Sequence, residues 1–268
     1  MPAEGGGQRT RVCVLGPSGR MGRAVLEAAR GRDDLRIAAA VDRGDAGGLG
    51  VIVSDGVVAS ADLDAGLAAC DVYIDFTTPA ASRAVALAAA RFHCAAVIGT
   101  TGLGPADEEA FAALARVSPI VVAANFSLGV NFVLGMVRQA ARVLGPEWDA
   151  EVVETHHRAK RDAPSGTALM IARAIAAGRG VDYDQVKRHG RDGDVGPRPR
   201  GEIGVSSVRG GDIIGEHTAY FFGAAERLEI SHRATSRSIF AAGALRAATW
   251  VTGQPPGRYD MLDVLGLQ

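Results

Sequence analysis

The sequence predicts an α/β chain: a doubly wound parallel sheet, followed by an α+β portion carrying a mixed or antiparallel sheet. Three observations predict it. Short apolar runs alternate with helix-period segments as far as Ala123. A glycine turn joins the first apolar run to the first helical segment. Beyond Asn125 a long helical pattern gives way to several β-like runs.

Taken in order, Arg11 to Leu15, Leu35 to Val41, Val72 to Phe76, Ala95 to Gly99 and Ile120 to Ala123 are apolar enough for buried strands. Between them, Met21 to Arg30, Ala80 to Arg91 and Pro105 to Arg116 place apolar residues at helical spacing, with Pro105 suited to a first turn. Ser127 to Leu144 then reads as a long helix, Asp149 to Thr155 as a strand and Ser165 to Ala177 as a helix. The Gly, Pro and Arg density from Gly190 to Gly201 predicts an irregular, mobile loop. Ile203 to Arg209, Asp212 to Phe222 and Arg227 to His232 read as strands on short connections, which favours antiparallel pairing. Ser236 to Thr252 returns to helix periodicity. We expect a dinucleotide-binding domain from 1–126 with 241–268, and a substrate-binding and oligomerisation domain from 127–240.

Composition narrows the function. Lys plus Arg number 29 against 30 Asp plus Glu, a net charge of −1, so no broad basic surface for nucleic acid is expected. With 47% hydrophobic and 22% charged residues the chain can fill a core. Met1 to Thr10 carries no apolar core and reads as a frayed end, and no uncharged apolar run reaches membrane-spanning length. A soluble, cytoplasmic protein with no membrane partner is expected. Three cysteines, Cys13, Cys70 and Cys94, form no CxxC pair and read as small buried hydrophobes, with neither a disulfide framework nor a thiolate metal site.

The sharpest local signal is Gly16-Pro17-Ser18-Gly19-Arg20-Met21-Gly22, set between a strand and a helix. Glycines there let backbone approach a pyrophosphate, which the helix start attracts. The spacing is GxxGxxG, a departure from GxGxxG. Asp42 lies at the end of the second strand, 42 − 22 = 20 residues past the last glycine, where a ribose-binding carboxylate is expected. It suits the ribose hydroxyls of NADH and repels the extra phosphate of NADPH unless a cation such as Arg43 or Arg20 intervenes, so dual use with NADH somewhat favoured is expected. Glycines as plain turn residues and Asp42 as a helix cap form the bland alternative. Phe76-Thr77-Thr78-Pro79 and Gly99-Thr100-Thr101-Gly102 sit at later strand ends, where such sheets bind ligands, although turns use the same residues.

A second centre runs from Glu154 to Ala168 and includes His156, His157, Lys160, Ser165, Gly166 and Thr167. It leaves a strand, passes a cationic stretch and enters a helix at Ser-Gly-Thr, whose hydroxyls and amides can receive a carboxylate. Neighbouring strand residues face opposite ways, so at most one histidine would easily line a pocket. No zinc spacing is present, and the lysine of a P-loop is missing.

These residues together resemble the 4-hydroxy-tetrahydrodipicolinate reductase (dihydrodipicolinate reductase) family. The likeness extends through Asp75-Phe76-Thr77, Val97 to Gly102, Ala123-Ala124-Asn125-Phe126-Ser127 to Asn131, and Gly211 to Thr218. It implies a Rossmann-like cofactor domain, hydride reduction of a small cyclic dicarboxylate with NADH or NADPH, a place in lysine and diaminopimelate biosynthesis, and a homotetramer. By the same resemblance His156 is the proton donor, and Lys160, His157, Ser165, Gly166, Thr167 and Thr101 bind substrate. Arg237 is a weaker candidate for a second carboxylate. Cofactor contacts are implied for Gly16, Ser18, Gly19, Arg20, Met21, Gly22, Asp42, Arg43, Phe76, Thr77, Gly99, Thr101, Ala123, Asn125 and Phe126. No metal is implied. Thr78 stands where some members carry a basic residue, and Ala159 where some carry a third histidine, so local cation density is lower. A different nicotinamide-dependent dehydrogenase and a redox sensor that binds NAD(H) without turnover are the rival readings.

Overall fold

The computed structural model describes residues 9–267, in two compact units: residues 9–127 with 238–266, and residues 128–237 with Leu267. Of the terminus expected to fray, residues 1–8 lie outside the described residues, and Thr10 already belongs to a strand.

The first unit begins with β1 (Thr10–Leu15), α1 (Arg20–Ala29) and β2 (Leu35–Val41). A small hairpin of β3 (Ile52–Ser54) and β4 (Val57–Val58) follows, then α2 (Leu63–Ala68), β5 (Val72–Asp75), α3 (Pro79–Ala89), β6 (Ala95–Ile98), α4 (Pro105–Ala115) and β7 (Pro119–Val122). The helix starts are encoded locally. Asp62 and Thr78 accept from the third amide of α2 and α3, and Pro79 and Pro105 occupy first-turn positions where no amide donor is needed. β5 and β6 are buried on every residue, as a sheet covered on both faces requires.

The second unit opens with α5 (Leu128–Leu144), then β8 (Asp149–His156), α6 (Gly166–Arg179), a turn of helix α7 (Tyr183–Val186), β9 (Lys187–His189), β10 (Ile203–Arg209), β11 (Gly215–Phe222) and β12 (Arg227–Ala234). Its sheet runs β12-β11-β8-β10-β9. The expectation of antiparallel pairing needs correction for part of it: β10 pairs in parallel with both β8 and β9, while β11 is antiparallel to β8 and β12. α6 lies between β8 and β10 in sequence, and it supplies the crossover connection that their parallel pairing requires. β11 starts at Gly215, not Asp212. The 190–201 loop has no regular element, yet Arg191 and Arg198 tie it to Glu151, Glu202 and Asp149.

The chain returns to the first unit as α8 (Ser238–Val251), β13 (Gly257–Tyr259) and α9 (Met261–Leu265). The parallel sheet is completed as β13-β7-β6-β5-β1-β2. α8 packs on α1 and against β5, β6 and β7. Because it starts at Ser238, Arg237 precedes it and does not open it. Cys13, Cys70 and Cys94 are buried with free thiols.

Candidate functional site

In the first unit, the glycine turn wraps the start of α1. Gly16 has φ 64°, a left-handed conformation that disfavours any side chain. A Cβ on Gly22 would lie 2.1 Å from the Gly16 carbonyl oxygen, so α1 can begin this close to β1 only without one. Asp42, just past β2, reaches back over the turn: its Oδ2 accepts from the Ser18 amide at 3.1 Å and hydroxyl at 2.5 Å, and its Oδ1 from the Arg43 amide at 2.9 Å. Burial alone would raise this carboxyl, but those bonds hold it below its ordinary range. Arg43 is exposed, with its guanidinium 3.5 Å from Asp45.

A cavity of about 670 Å³ lies over these residues, lined by Gly16, Ser18, Gly19, Asp42, Arg43, Phe76, Thr77 and Thr78 among others. The sequence-predicted turn, carboxylate and Thr77 loop therefore converge. Buried Asp75 fixes the floor: its Oδ1 accepts from the Thr77 amide at 2.8 Å and hydroxyl at 2.6 Å, and from the Thr100 hydroxyl at 3.4 Å. Gly99 lets the Phe76 ring lie against it, since a Cβ there would meet that ring at 2.1 Å. Phe76 in turn packs edge-on against buried Phe126 at 5.4 Å. Asn125 is buried and caps the Ser127 amide at 2.8 Å, Ala123 is half-buried after β7, and Thr101 and Arg20 are exposed. Met21 is half-buried and Gly22 buried in α1. A bare-backbone turn at a helix start and a carboxylate at the next strand's end suit the pyrophosphate and ribose of a dinucleotide.

In the second unit the chemistry is assembled by sheet register. Alternate residues of β8 are buried, so Ala150, Val152, Glu154 and His156 share one face. Across the sheet, Ser207 and His217 lie opposite Glu154, and Arg209 opposite His156. Glu154 is fully buried and is the hub: its Oε2 accepts from His156 Nδ1 at 2.5 Å, Arg209 bonds both of its oxygens at 2.8 Å, and the Ser165 amide donates to Oε1 at 3.0 Å. Burial acts to raise the Glu154 carboxyl, but bonds from Arg209, His156, Ser207 and the Ser165 amide prevail and pull it down to about 2.

Ser165 caps α6, its hydroxyl accepting from the Ala168 amide at 3.2 Å and meeting His217 Nε2 at 3.1 Å. Gly166 and Thr167 head the helix, with Gly166 exposed, so α6 directs its positive end outward there. Buried His217 packs edge-on against His156 at 5.1 Å. Burial, and then the neighbouring His156, push its imidazole down to about 4. Lys160 Nζ bonds both Asp162 oxygens at 2.9 Å, while the Asp162 carbonyl accepts from Arg209 at 2.7 Å. His157, half-buried past the end of β8, donates its amide to the Ile213 carbonyl at 2.7 Å. Arg237 is exposed, outside this network.

Glu154, Asp162, Asp75 and His217 lie inside stretches that the sequence pointed to but were given no role there, and Arg209 was not singled out. For Glu154 a signal existed: it stands two residues before His156 on a strand, hence on the same face. His217 and Arg209 join only through strand pairing, which no local pattern encodes.

Comparison with known proteins covers both units, with a boundary near residue 127 and the returning segment 238–265 matched by the C-terminal model. The family model "Dihydrodipicolinate reductase, N-terminus" matches residues 10–126 and "Dihydrodipicolinate reductase, C-terminus" matches residues 129–265. A relative named 4-hydroxy-tetrahydrodipicolinate reductase from Alkalilimnicola ehrlichii is 50% identical over 265 residues, 96% of this chain and 99% of its own. Another of that name from Caulobacter vibrioides is 50% identical, over 97% of this chain and 99% of its own. Among solved structures, a dipicolinate-bound dihydrodipicolinate reductase from Paenisporosarcina sp. TG-14 superposes with a TM-score of 0.80 at 25% identity, covering 96% of this chain and 99% of that one.

Proposed function

The chain belongs to the dihydrodipicolinate reductase family, and from that premise we propose how its own residues carry out the reaction. It is an oxidoreductase of lysine and amino-acid biosynthesis, reducing 4-hydroxy-tetrahydrodipicolinate to tetrahydrodipicolinate with a pyridine nucleotide. When bound, NADH or NADPH supplies the hydride that the substrate ring accepts.

The glycine turn and the start of α1 receive the pyrophosphate, and Asp42 takes the ribose hydroxyls in place of its bonds to Ser18. Arg43 turns toward Asp45 and leaves Asp42 as the charge nearest the ribose, which supports NADH as the preferred donor with NADPH also accepted. Phe76, Thr77 and Thr101 line the nicotinamide end.

His156 delivers the proton. An imidazole bonded through Nδ1 has Nε2 left for chemistry, and Gly215 keeps that atom clear, since a Cβ there would come within 2.9 Å of it. The outward end of α6, through Gly166 and Thr167, receives one substrate carboxylate. Ser165 serves it indirectly, by capping the helix. Lys160 is held by Asp162 until a dicarboxylate displaces that partner, and His157 flanks it. One observation carries this reading: the buried Glu154 carboxylate bonds both the imidazole of His156 and the first cap of α6, so the proton donor and the anion-binding helix start are tied to one point.

Exposed Val208 and Phe222 share the face of the second sheet opposite Glu154 and His156, which supports that face as the surface for assembly into a tetramer. No helix of the described residues is long and apolar enough to cross a membrane, and we place the enzyme in the cytoplasm. The test is an assay on the condensation product of pyruvate and aspartate semialdehyde, generated enzymatically. Nucleotide oxidation that depends on this product is expected. Turnover on homoserine or a hydroxy acid, with none on the condensation product, would overturn the assignment.

A further inference from the structure

We propose that Glu154, clamped by Arg209, is the positioning residue that sets the tautomer and orientation of the His156 imidazole and holds it in register with the start of α6. The inference rests on His156 being the proton donor and adds what makes it one.

Glu154 has every oxygen engaged. Oε2 takes His156 Nδ1 at 2.5 Å and Arg209 Nη1 at 2.8 Å; Oε1 takes Arg209 Nη2 at 2.8 Å and the Ser165 amide at 3.0 Å. An ionised carboxylate can only accept, so its histidine partner must present Nδ1–H. The proton exchanged with solvent or substrate is then confined to Nε2. The bidentate guanidinium fixes the carboxylate plane, and therefore the ring. Arg209 also binds the Asp162 carbonyl at 2.7 Å, and Asp162 holds Lys160. The ammonium, the imidazole and the helix cap thus share one buried ion pair.

A merely structural ion pair would leave the imidazole tautomer indifferent to the charge of Glu154, and this separates the two roles. In Glu154→Gln a side-chain oxygen facing the Ser165 amide and Arg209 Nη2 leaves one donor–donor clash, with Arg209 Nη1, against two in the flipped orientation, so the amide NH₂ is turned toward Nδ1. The ring must then accept at Nδ1 and carry its proton on Nε2, the reversed tautomer. In catalytic acid–base pairs a reversed tautomer costs about 10⁴-fold in turnover with geometry intact.

The experiment is nitrogen NMR of the full-length enzyme labelled at histidine, with the His156 signal assigned by its loss in His156→Gln, alongside steady-state kinetics. In the wild type a proton is expected on Nδ1 in every charge state. In Glu154→Gln the neutral ring is expected to carry it on Nε2, with kcat lowered by about a hundredfold or more and KM moved far less. Glu154→Asp should restore the Nδ1 proton and part of the rate. A bare Nδ1 on the neutral ring of the wild type would overturn the proposal without recourse to any variant. So would a Glu154→Gln enzyme that keeps wild-type kcat while His156→Gln is impaired. Undiminished kcat in His156→Gln would instead remove the proton-donor reading itself.

Discussion

Gly22→Ala is the sharpest probe of the nucleotide cradle. The added methyl would sit 2.1 Å from the Gly16 carbonyl oxygen and 2.8 Å from Gly16 C and Pro17 Cα, all backbone, so no side chain can swing away. Relief requires α1 and the turn to separate by roughly 1 Å, given ordinary contacts of about 3.5 Å. Overpacking of this kind costs about 1–3 kcal/mol. Alanine recovers about 1 kcal/mol of helix propensity inside α1, leaving a net loss of stability of about 0–2 kcal/mol. Fold stability therefore changes little, and the effect falls on binding: amides displaced by roughly 1 Å lose their hydrogen-bond distance to a pyrophosphate. We expect the NADH dissociation constant to rise at least about tenfold, equivalent to about 1.4 kcal/mol, in calorimetric titration. Gly253→Ala, outside the cradle, is the control, because its methyl would meet nothing closer than the Trp250 carbonyl oxygen at 3.7 Å. If Gly22→Ala binds NADH as tightly as wild type while remaining folded, the cradle is not where the pyrophosphate lies.

His156→Gln should lower kcat by about 10²–10⁴-fold with little change in KM, whereas Lys160→Ala should raise the substrate KM by about ten- to a hundredfold, the worth of one charge-assisted hydrogen bond; initial rates on the condensation product distinguish them. Asp42→Ala should raise KM for NADH by about tenfold or more while leaving or improving that for NADPH, measured with each nucleotide varied. Because the folded His217 imidazole is pushed down to about 4 from 6.5, its contribution to stability is complete above about 6.5 and lost as pH falls toward 4. Melting temperatures recorded across that window should fall for wild type and fall less for His217→Gln. Glu154, pulled down to about 2 from 4.5, acts in a lower window, present above about 4.5 and lost toward 2; Glu154→Gln should flatten the acid limb there.

Much of this molecule can be read along the chain, for a physical reason. The parallel strands and their helices span enough residues to show a period: Leu35–Val41 and Leu128–Leu144 are found where apolar spacing puts them. The hairpin of β3 and β4 has strands of three and two residues, too short for any period, and α9 has only five. Gly16 to Gly22 and Asp42 were legible because their relation is a fixed spacing along one βαβ unit. His156 and Lys160 stood out by composition, but their supports did not. Arg209 lies 55 residues from Glu154, and His217 lies 52 from Ser165; each contact is created by register in the second sheet. The direction of β10 was the related miss: the helix between β8 and β10 allowed a parallel crossover, and the short spacing of the later strands pointed the other way.

The most direct measurement is a crystal structure of the enzyme with NADH and dipicolinate, a planar dicarboxylate that cannot complete the reaction. We expect one carboxylate on the amides of Gly166 and Thr167, Lys160 released from Asp162 toward the ligand, and the ring within hydrogen-bond reach of His156 Nε2. A dicarboxylate bound elsewhere, with His156 and the start of α6 both facing solvent in the ternary complex, would contradict the assignment of these residues.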